Sequence, residues 1–156
     1  MSLERLCFRP DPMEKTMYKR ILVAVEHSDA DRTIIEHVLP LAKMCGASLV
    51  LVHVADGWVA RAYDELQLRE SKEIQEDRAY LEGLRDSLSA RGFTVESRLA
   101  MGDPATEIVR AVETEHVDLV AMATHGHRLV KDIILGATVT KVRHGLKVPV
   151  LLLQAR

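Results

Sequence analysis

Ile21-Leu22-Val23-Ala24-Val25 is a short, continuous apolar run rich in β-branched residues. Such a run is typical of a β-strand that is buried on both faces of a sheet. The polar residues Glu26-His27-Ser28-Asp29 follow it directly, and apolar residues then recur at helical spacing: Ile34, Ile35, Val38, Leu41, Ala42 and Cys45. A buried strand followed by an amphipathic helix predicts the first unit of an α/β fold.

The ends of this first helix carry their own signals. Ser28 stands three residues before Asp31, which is close to a capping box. Pro40 lies inside the helical pattern and is expected to kink it. Gly46 follows the last apolar position and is expected to end the helix.

The same strand–helix unit recurs along the rest of the chain. Further strands are predicted at Ala47–Val54, Phe93–Met101, Val117–Ala123 and Val148–Leu153. Helices are predicted from Asp64 to Arg91, closed by Gly92, from Asp103-Pro104 onward, and from Gly136 to about His144. Residues 1–17 lack periodicity and contain two prolines, so we expect a flexible tail followed by one domain over 18–156.

Strictly alternating strands and helices predict a doubly wound parallel sheet with helices on both faces. The expected strand order is 3-2-1-4-5, which puts the topological switch point between strands 1 and 4. Ligands of such sheets bind beyond the carboxyl ends of the strands at that point. The topology therefore nominates residues 26–29 and 123–127 as a candidate site.

The segment after strand 4 carries chemistry suited to phosphate. Ala123-Thr124-His125-Gly126 is followed, after nine residues, by Gly136-Ala137-Thr138 at a helix start, and His127, Arg128 and Lys131 lie between them. Glycine allows close backbone approach, and a helix N-terminus favours an anion. The spacing matches neither the Walker A nor the GxGxxG pattern. Two interpretations stay open: a phosphate cradle, or glycines that serve turn geometry alone.

Composition excludes several classes of protein. The 156 residues carry 21 Lys and Arg against 23 Asp and Glu, and aromatic residues make up only 4%. Neither the charge balance nor the aromatic content suits a nucleic-acid surface. No apolar run reaches the length of a membrane span, and Cys7 and Cys45 form no CxxC pair. We therefore predict a cytoplasmic protein with free thiols, no membrane segment and no nucleic-acid partner.

Residues 18–154 resemble the universal stress protein family. The resemblance is carried by Tyr18 to Val25, Gly102-Asp103-Pro104, Val117-Asp118-Leu119-Val120 before Thr124-His125-Gly126, and Val148 to Leu152. It implies the doubly wound, Rossmann-like fold, an adenine nucleotide (ATP, ADP or AMP, with Mg²⁺ left open) as the ligand, and a homodimer through residues 148–154. An unidentified regulatory protein would be a further partner.

The family motif, Gly-two-Gly-nine-Gly-Ser/Thr, is matched here in spacing but only partly in identity. Ala123 stands for the first glycine, Gly126 and Gly136 for the next two, and Ala137 for the hydroxyl residue, beside Thr138. The aspartate that binds ribose in the family corresponds to Glu26. The loss of one hydrogen bond to a charged group, about 1.5–3 kcal/mol, would weaken nucleotide binding without abolishing it.

The resemblance and the topology together define one predicted nucleotide site. Its residues are Val25, Glu26, His27, Ser28, Val54, Met122, Ala123, Thr124, His125, Gly126, His127, Arg128, Gly136, Ala137 and Thr138. Glu26 would accept ribose hydroxyls, the surroundings of Val54 would hold adenine, and His125 would either contact phosphate or fasten the loop. No metal ligand set and no catalytic residue is predicted, since HExxH, GxSxG and Ser-His-Asp patterns are all missing.

Three functions remain open on the sequence. The first is a nucleotide-binding regulatory protein of the stress response. The second is a dimeric interaction module that has lost nucleotide binding, for which Ala123, Ala137 and Glu26 are the evidence. The third is a slow ATPase or autophosphorylating protein.

Overall fold

The computed structural model describes residues 16–55, 72–125 and 137–155. Its elements are β1 (Arg20–Val25), α1 (Ala30–Cys45), β2 (Ser48–Ala55), α2 (Lys72–Ala90), β3 (Val95–Met101), α3 (Pro104–Thr114), β4 (Leu119–His125), α4 (Ala137–Gly145) and β5 (Val150–Ala155). Most of the predicted tail, the predicted start of the second helix, and the loop after β4 lie outside the described residues.

The five strands form one parallel sheet in the order β3-β2-β1-β4-β5. This confirms the predicted fold class and strand order. In the register, Val25 at the end of β1 lies opposite His53 of β2, and Ala24 lies opposite Met122 of β4. The switch point therefore falls between β1 and β4, as the alternation of strands and helices predicts.

Side chains along the central strands point alternately to the two faces of the sheet, so the core has two layers. Ile21, Val23 and Val25 pack in the same cluster as the apolar faces of α1 and α2. Leu22 packs on the other face, with α3 and α4. The sheet is therefore covered on both sides, which is why β1 consists almost entirely of apolar residues.

The helix ends follow the predicted signals, except that the capping box at Ser28 is incomplete. Gly46 ends α1 in the left-handed conformation at φ +62°. Asp103 caps the start of α3, since its Oδ2 accepts a hydrogen bond of 3.0 Å from Thr106 N, and Pro104 is the first residue of the helix. The helix α1 continues through Pro40. The capping box at Ser28 forms only in part, because Ser28 Oγ accepts from Ala30 N while the carboxylate of Asp31 accepts from Ser28 N.

Several strand limits differ from the predicted ones. β3 begins at Val95 rather than Phe93, and β4 and β5 each begin and end two residues later than expected. The register shows the reason: the β4–β5 pairing begins at Val120 and Val150 and continues to His125 and Ala155. Backbone pairing does not require apolar side chains, so the apolar run alone misplaces the ends of the strands. Within the described ranges, no helix has the length and apolar character needed to span a membrane.

Candidate functional site

A cleft of about 180 Å³ opens at the carboxyl ends of β1, β2 and β4. Its lining combines strand ends with the first turns of two helices: Ala24, Val25, Glu26, Val52, His53, Val54, Pro104, Ile108, Met122 and Thr138. Val25, Glu26, Val54, Met122 and Thr138 in this lining belong to the site predicted from the sequence. The structure thus brings them together at the switch point of the sheet.

The fold explains how each of these residues reaches the cleft. Parallel strands end at the same edge of the sheet, so Val25, Val54 and Met122, which lie near the carboxyl ends of β1, β2 and β4, come together. Pro104 and Ile108 belong to α3, and Thr138 lies in the first turn of α4. The walls are largely apolar, and Glu26 places a carboxylate at the rim.

Other predicted residues are placed elsewhere. His27 and Ser28 line a separate cleft of about 710 Å³ between α1 and α2. Ala123 is buried in the cluster on the α1 and α2 face, whereas its neighbour Met122, which lines the cleft, packs on the other face. Thr124 is half-buried, and its hydroxyl donates to the carbonyl of Leu153 at 3.4 Å.

The remaining predictions concern the loop between β4 and α4. His125 is the last residue of β4 and Ala137 is the first residue of α4. Gly126, His127, Arg128 and Gly136 lie outside the described residues. Their assignment to the site stays a prediction.

The turn between β1 and α1 is fixed by the buried carboxylate of Asp31, which is 2% exposed. Asp31 Oδ1 accepts from Glu26 N at 2.8 Å, and Oδ2 accepts from Ser28 N at 3.2 Å. Tyr80 of α2 donates its hydroxyl hydrogen to Asp31 Oδ2 at 2.7 Å. Burial, together with the hydrogen bond to Asp31, raises the pKa of Tyr80, so the phenol remains a proton donor.

His27 occupies the left-handed region at φ +58°, which L-residues rarely adopt. Its Nδ1 lies 2.7 Å from Asp77 Oδ1, and its ring stacks on Tyr80 with centroids 4.1 Å apart. Both partners belong to α2. The uncommon conformation of the turn is therefore supported by two contacts to a neighbouring helix.

His53 connects the cleft to the same helix. Its Nδ1 lies 2.9 Å from the carbonyl oxygen of Val25, and its Nε2 lies 3.2 Å from Asp77 Oδ2. Asp31, Asp77 and Tyr80 were absent from the predicted site. One signal was available: Asp77 lies three residues after Ile74 and four before Leu81, on the apolar stripe of its helix, where a carboxylate requires a partner.

Within the described ranges, no group of three or more His, Cys, Asp or Glu side chains has the arrangement of a metal site. His27 and His53 instead share the carboxylate of Asp77. The polar groups around the cleft thus serve to fix the backbone of the β1–α1 turn.

The model of the universal stress protein family matches residues 17–154. The chain belongs to this family. Among curated relatives, universal stress protein MJ0577 of Methanocaldococcus jannaschii is 26% identical, covering 90% of this chain and 97% of its own length. A universal stress protein of Methanothermobacter thermautotrophicus is 33% identical, covering 82% of this chain and 90% of its own length.

Solved structures of this stress protein family have the same fold. Protein MJ0577 superimposes with a TM-score of 0.75 at 28% identity, covering 90% of this chain and 98% of its own. A universal stress protein in complex with cAMP gives a TM-score of 0.63 at 20% identity, covering 88% and 97%. The Archaeoglobus fulgidus protein in complex with dAMP gives 0.63 at 19% identity, covering 86% and 97%.

Proposed function

We propose that this stress protein is a regulatory protein that binds an adenine nucleotide in the cleft between the carboxyl ends of β1 and β4. The observation that carries the proposal is the convergence of Val25, Glu26, Val54, Met122 and Thr138 on one cleft at the switch point. The complexes of two structural neighbours with cAMP and dAMP support the choice of adenine.

The chemistry of the cleft suits a nucleoside. Its apolar walls, formed in part by Val54, Met122 and Ile108, match the faces of a purine base. Glu26 at the rim supplies oxygens that accept hydrogen bonds from ribose hydroxyls. The volume of about 180 Å³ is below the roughly 300–1,000 Å³ of most ligand sites, so the phosphates would extend outside the cleft.

The phosphates would then extend toward the start of α4. Thr138 of its first turn lines the cleft, and Ala137 is its first residue. The N–H groups and the dipole at a helix N-terminus favour an anion. Ala123, which differs from the family motif, is buried on the opposite face of the sheet from Met122, so this departure leaves the cleft open.

The experiment is calorimetric titration of the purified protein with ATP, ADP, AMP and cAMP, each with and without Mg²⁺, and with GTP as the base control. Val54→Trp would fill the cleft and lower adenine nucleotide affinity at least tenfold. Val95→Trp is the matched control. Val95 is also a half-buried strand valine, but it is the first residue of β3 and lies at the amino ends of the strands, opposite to the cleft. The control should bind like the parent protein.

Two outcomes would contradict the proposal. Absence of nucleotide binding by the parent protein would favour the interaction module, and equal affinity of Val54→Trp and Val95→Trp would place the ligand elsewhere. Release of inorganic phosphate from bound ATP would favour the slow ATPase. We also propose a reducing, cytoplasmic setting, which the free thiol of Cys45 supports.

A further inference from the structure

The peptide group that joins Val25 to Glu26 is held at both of its polar atoms by side chains. The Val25 carbonyl oxygen lies 2.9 Å from Nδ1 of His53, and the Glu26 N–H donates to Asp31 Oδ1 at 2.8 Å. The peptide group is planar and its C=O and N–H point in opposite directions, so these two contacts fix the orientation of the plane. They thereby constrain the backbone that carries the Glu26 side chain at the rim of the cleft.

The carboxylate of Asp31 is in turn oriented by Tyr80. Its Oδ2 accepts from Ser28 N at 3.2 Å and from the Tyr80 hydroxyl at the shorter distance of 2.7 Å. Asp31 is 2% exposed, so water hardly competes for this oxygen, and a hydrogen bond in such surroundings is stronger than one at the surface. Without the Tyr80 hydroxyl, Oδ2 would keep only the longer contact, and the carboxylate would lose the bond that sets its rotation.

Tyr80 acts from outside the nucleotide cleft. It lies on α2 and lines the separate cleft between α1 and α2, where its ring stacks on His27. Glu26 lines the nucleotide cleft, and Tyr80 does not. The path from the Tyr80 hydroxyl to Glu26 therefore runs through the carboxylate of Asp31 and the backbone of the turn.

We propose that Tyr80 and Asp31 are positioning residues for ribose recognition, an inference that rests on the proposed function. They hold the Glu26 carboxylate where it accepts hydrogen bonds from the ribose hydroxyls. Such bonds weaken steeply as their angle departs from linearity, so a small rotation of the Glu26 backbone reduces them. The base and the phosphates contact other parts of the cleft. Tyr80 therefore tunes selectivity for a ribose with free hydroxyls rather than nucleotide affinity as a whole.

Two ligands distinguish this role from a merely structural one. AMP carries both ribose hydroxyls, whereas its dideoxy analogue lacks both and offers Glu26 nothing to bind at the ribose. A general loosening of the fold lowers the affinity for both ligands alike. Loss of positioning lowers the affinity for AMP alone, so the ratio of the two affinities is the quantity to measure.

Tyr80→Phe is the decisive variant, because it removes only the hydroxyl and keeps the ring that stacks on His27. In calorimetry its affinity for AMP should fall on the order of fivefold, with affinity for the dideoxy analogue unchanged. Tyr18→Phe is the matched control. Tyr18 is also half-buried and packs against the same core cluster, but it precedes β1 at the end of the sheet opposite the cleft. It should keep the ratio of the parent protein.

A double-mutant cycle tests whether the effect passes through Glu26. Glu26→Ala keeps the backbone N–H that donates to Asp31 and removes the carboxylate, so this variant should bind AMP and the dideoxy analogue equally. Addition of Tyr80→Phe to Glu26→Ala should then cost no further affinity for AMP. Losses that add fully would overturn the proposal, because Tyr80 would act independently of Glu26.

The outcomes separate this inference from the proposed function. Failure of the parent protein to bind AMP would remove both. Binding of AMP with the same ratio in Tyr80→Phe as in the parent protein would overturn the positioning role and leave nucleotide binding in place. Equal loss of both ligands in Tyr80→Phe would assign Tyr80 to the stability of the fold and would also overturn it. Thermal unfolding of each variant checks that it is folded.

Discussion

Arg20 Nη2 donates a hydrogen bond of 2.7 Å to Glu115 Oε2, so the first residue of β1 is tied to the residue that caps the carboxyl end of α3. Arg98 of β3 donates to the other oxygen of Glu115 at 2.7 Å, and Glu96 pairs with both arginines. This charge cluster lies at the amino end of β1, whereas the cleft lies at its carboxyl end. Substitutions in the charge cluster can therefore test stability without altering the residues that line the cleft.

Glu115→Gln should destabilise the protein. The side chain of Glu115 is 15% exposed and accepts from two guanidinium groups, so neutralisation weakens two charge-assisted hydrogen bonds. We expect the free energy of unfolding to fall by about 1–2 kcal/mol in urea denaturation. Glu113→Gln, an exposed position on the same helix, is the control. Equal losses in the two variants would contradict a specific role for the cluster.

The cluster also predicts acid sensitivity. Burial alone would raise the pKa of Glu115, but hydrogen bonds from Arg20 and Arg98 lower it below its ordinary value of 4.5, and those of Arg20 also lower the pKa of Glu96. A depressed pKa in the folded state contributes stability above about pH 4.5 that is lost as the pH falls further. The difference in unfolding free energy between the parent protein and Glu115→Gln should shrink from pH 7 to pH 3. A constant difference would mean that Glu115 acts through packing.

Ala137→Ser should tighten the binding of ATP more than that of adenosine. Ala137 begins α4, where the family motif has Ser or Thr, and the added hydroxyl would reach a phosphate. One hydrogen bond to a charged group corresponds to roughly tenfold in affinity. Calorimetry with both ligands measures the difference. Equal gains would show that the phosphates do not lie at this helix start.

The protein should form a homodimer through β5, which pairs only with β4 among the described strands. An apolar edge strand is normally covered or paired, and two-fold dimers are the commonest assembly. Light scattering at micromolar concentration should give twice the chain mass of 17.5 kDa. A mass of one chain would contradict the prediction.

One proline substitution tests the mode of pairing. Val120 N donates to Pro149 O, so every second residue of β5 turns its peptide groups toward β4. The N–H and C=O groups of the residues between them, Val150, Leu152 and Gln154, point to the free edge. Gln154→Pro removes one outward N–H at an exposed side chain while it leaves the β4 ladder intact, and it should favour the monomer. Gln154→Ala should remain dimeric. Identical masses for the two variants would exclude pairing through this edge.

The sheet, and five of the ten residues that line the cleft, could be predicted from the sequence. The apolar run at 21–25 and the alternation of strands and helices led to the order 3-2-1-4-5, because buried parallel strands and right-handed crossovers leave few arrangements. Once the order is known, Val25, Val54 and Met122 must meet at one edge. The ends of β4 and β5 were missed by two residues, since hydrogen-bonded pairing continues past the apolar residues.

The polar groups that hold the β1–α1 turn could be identified only from the packing of the folded chain. Asp77 is 24 residues from His53 and 50 from His27, and their contacts depend on how α2 is rotated about its axis against the sheet. No local sequence pattern specifies the rotation of α2, because that rotation is set by the packing of Leu81 and Leu88 in the core shared with β1 and α1. His27, which the sequence placed in the predicted site, lines the cleft between α1 and α2, whereas His53 lines the cleft at the ends of the strands.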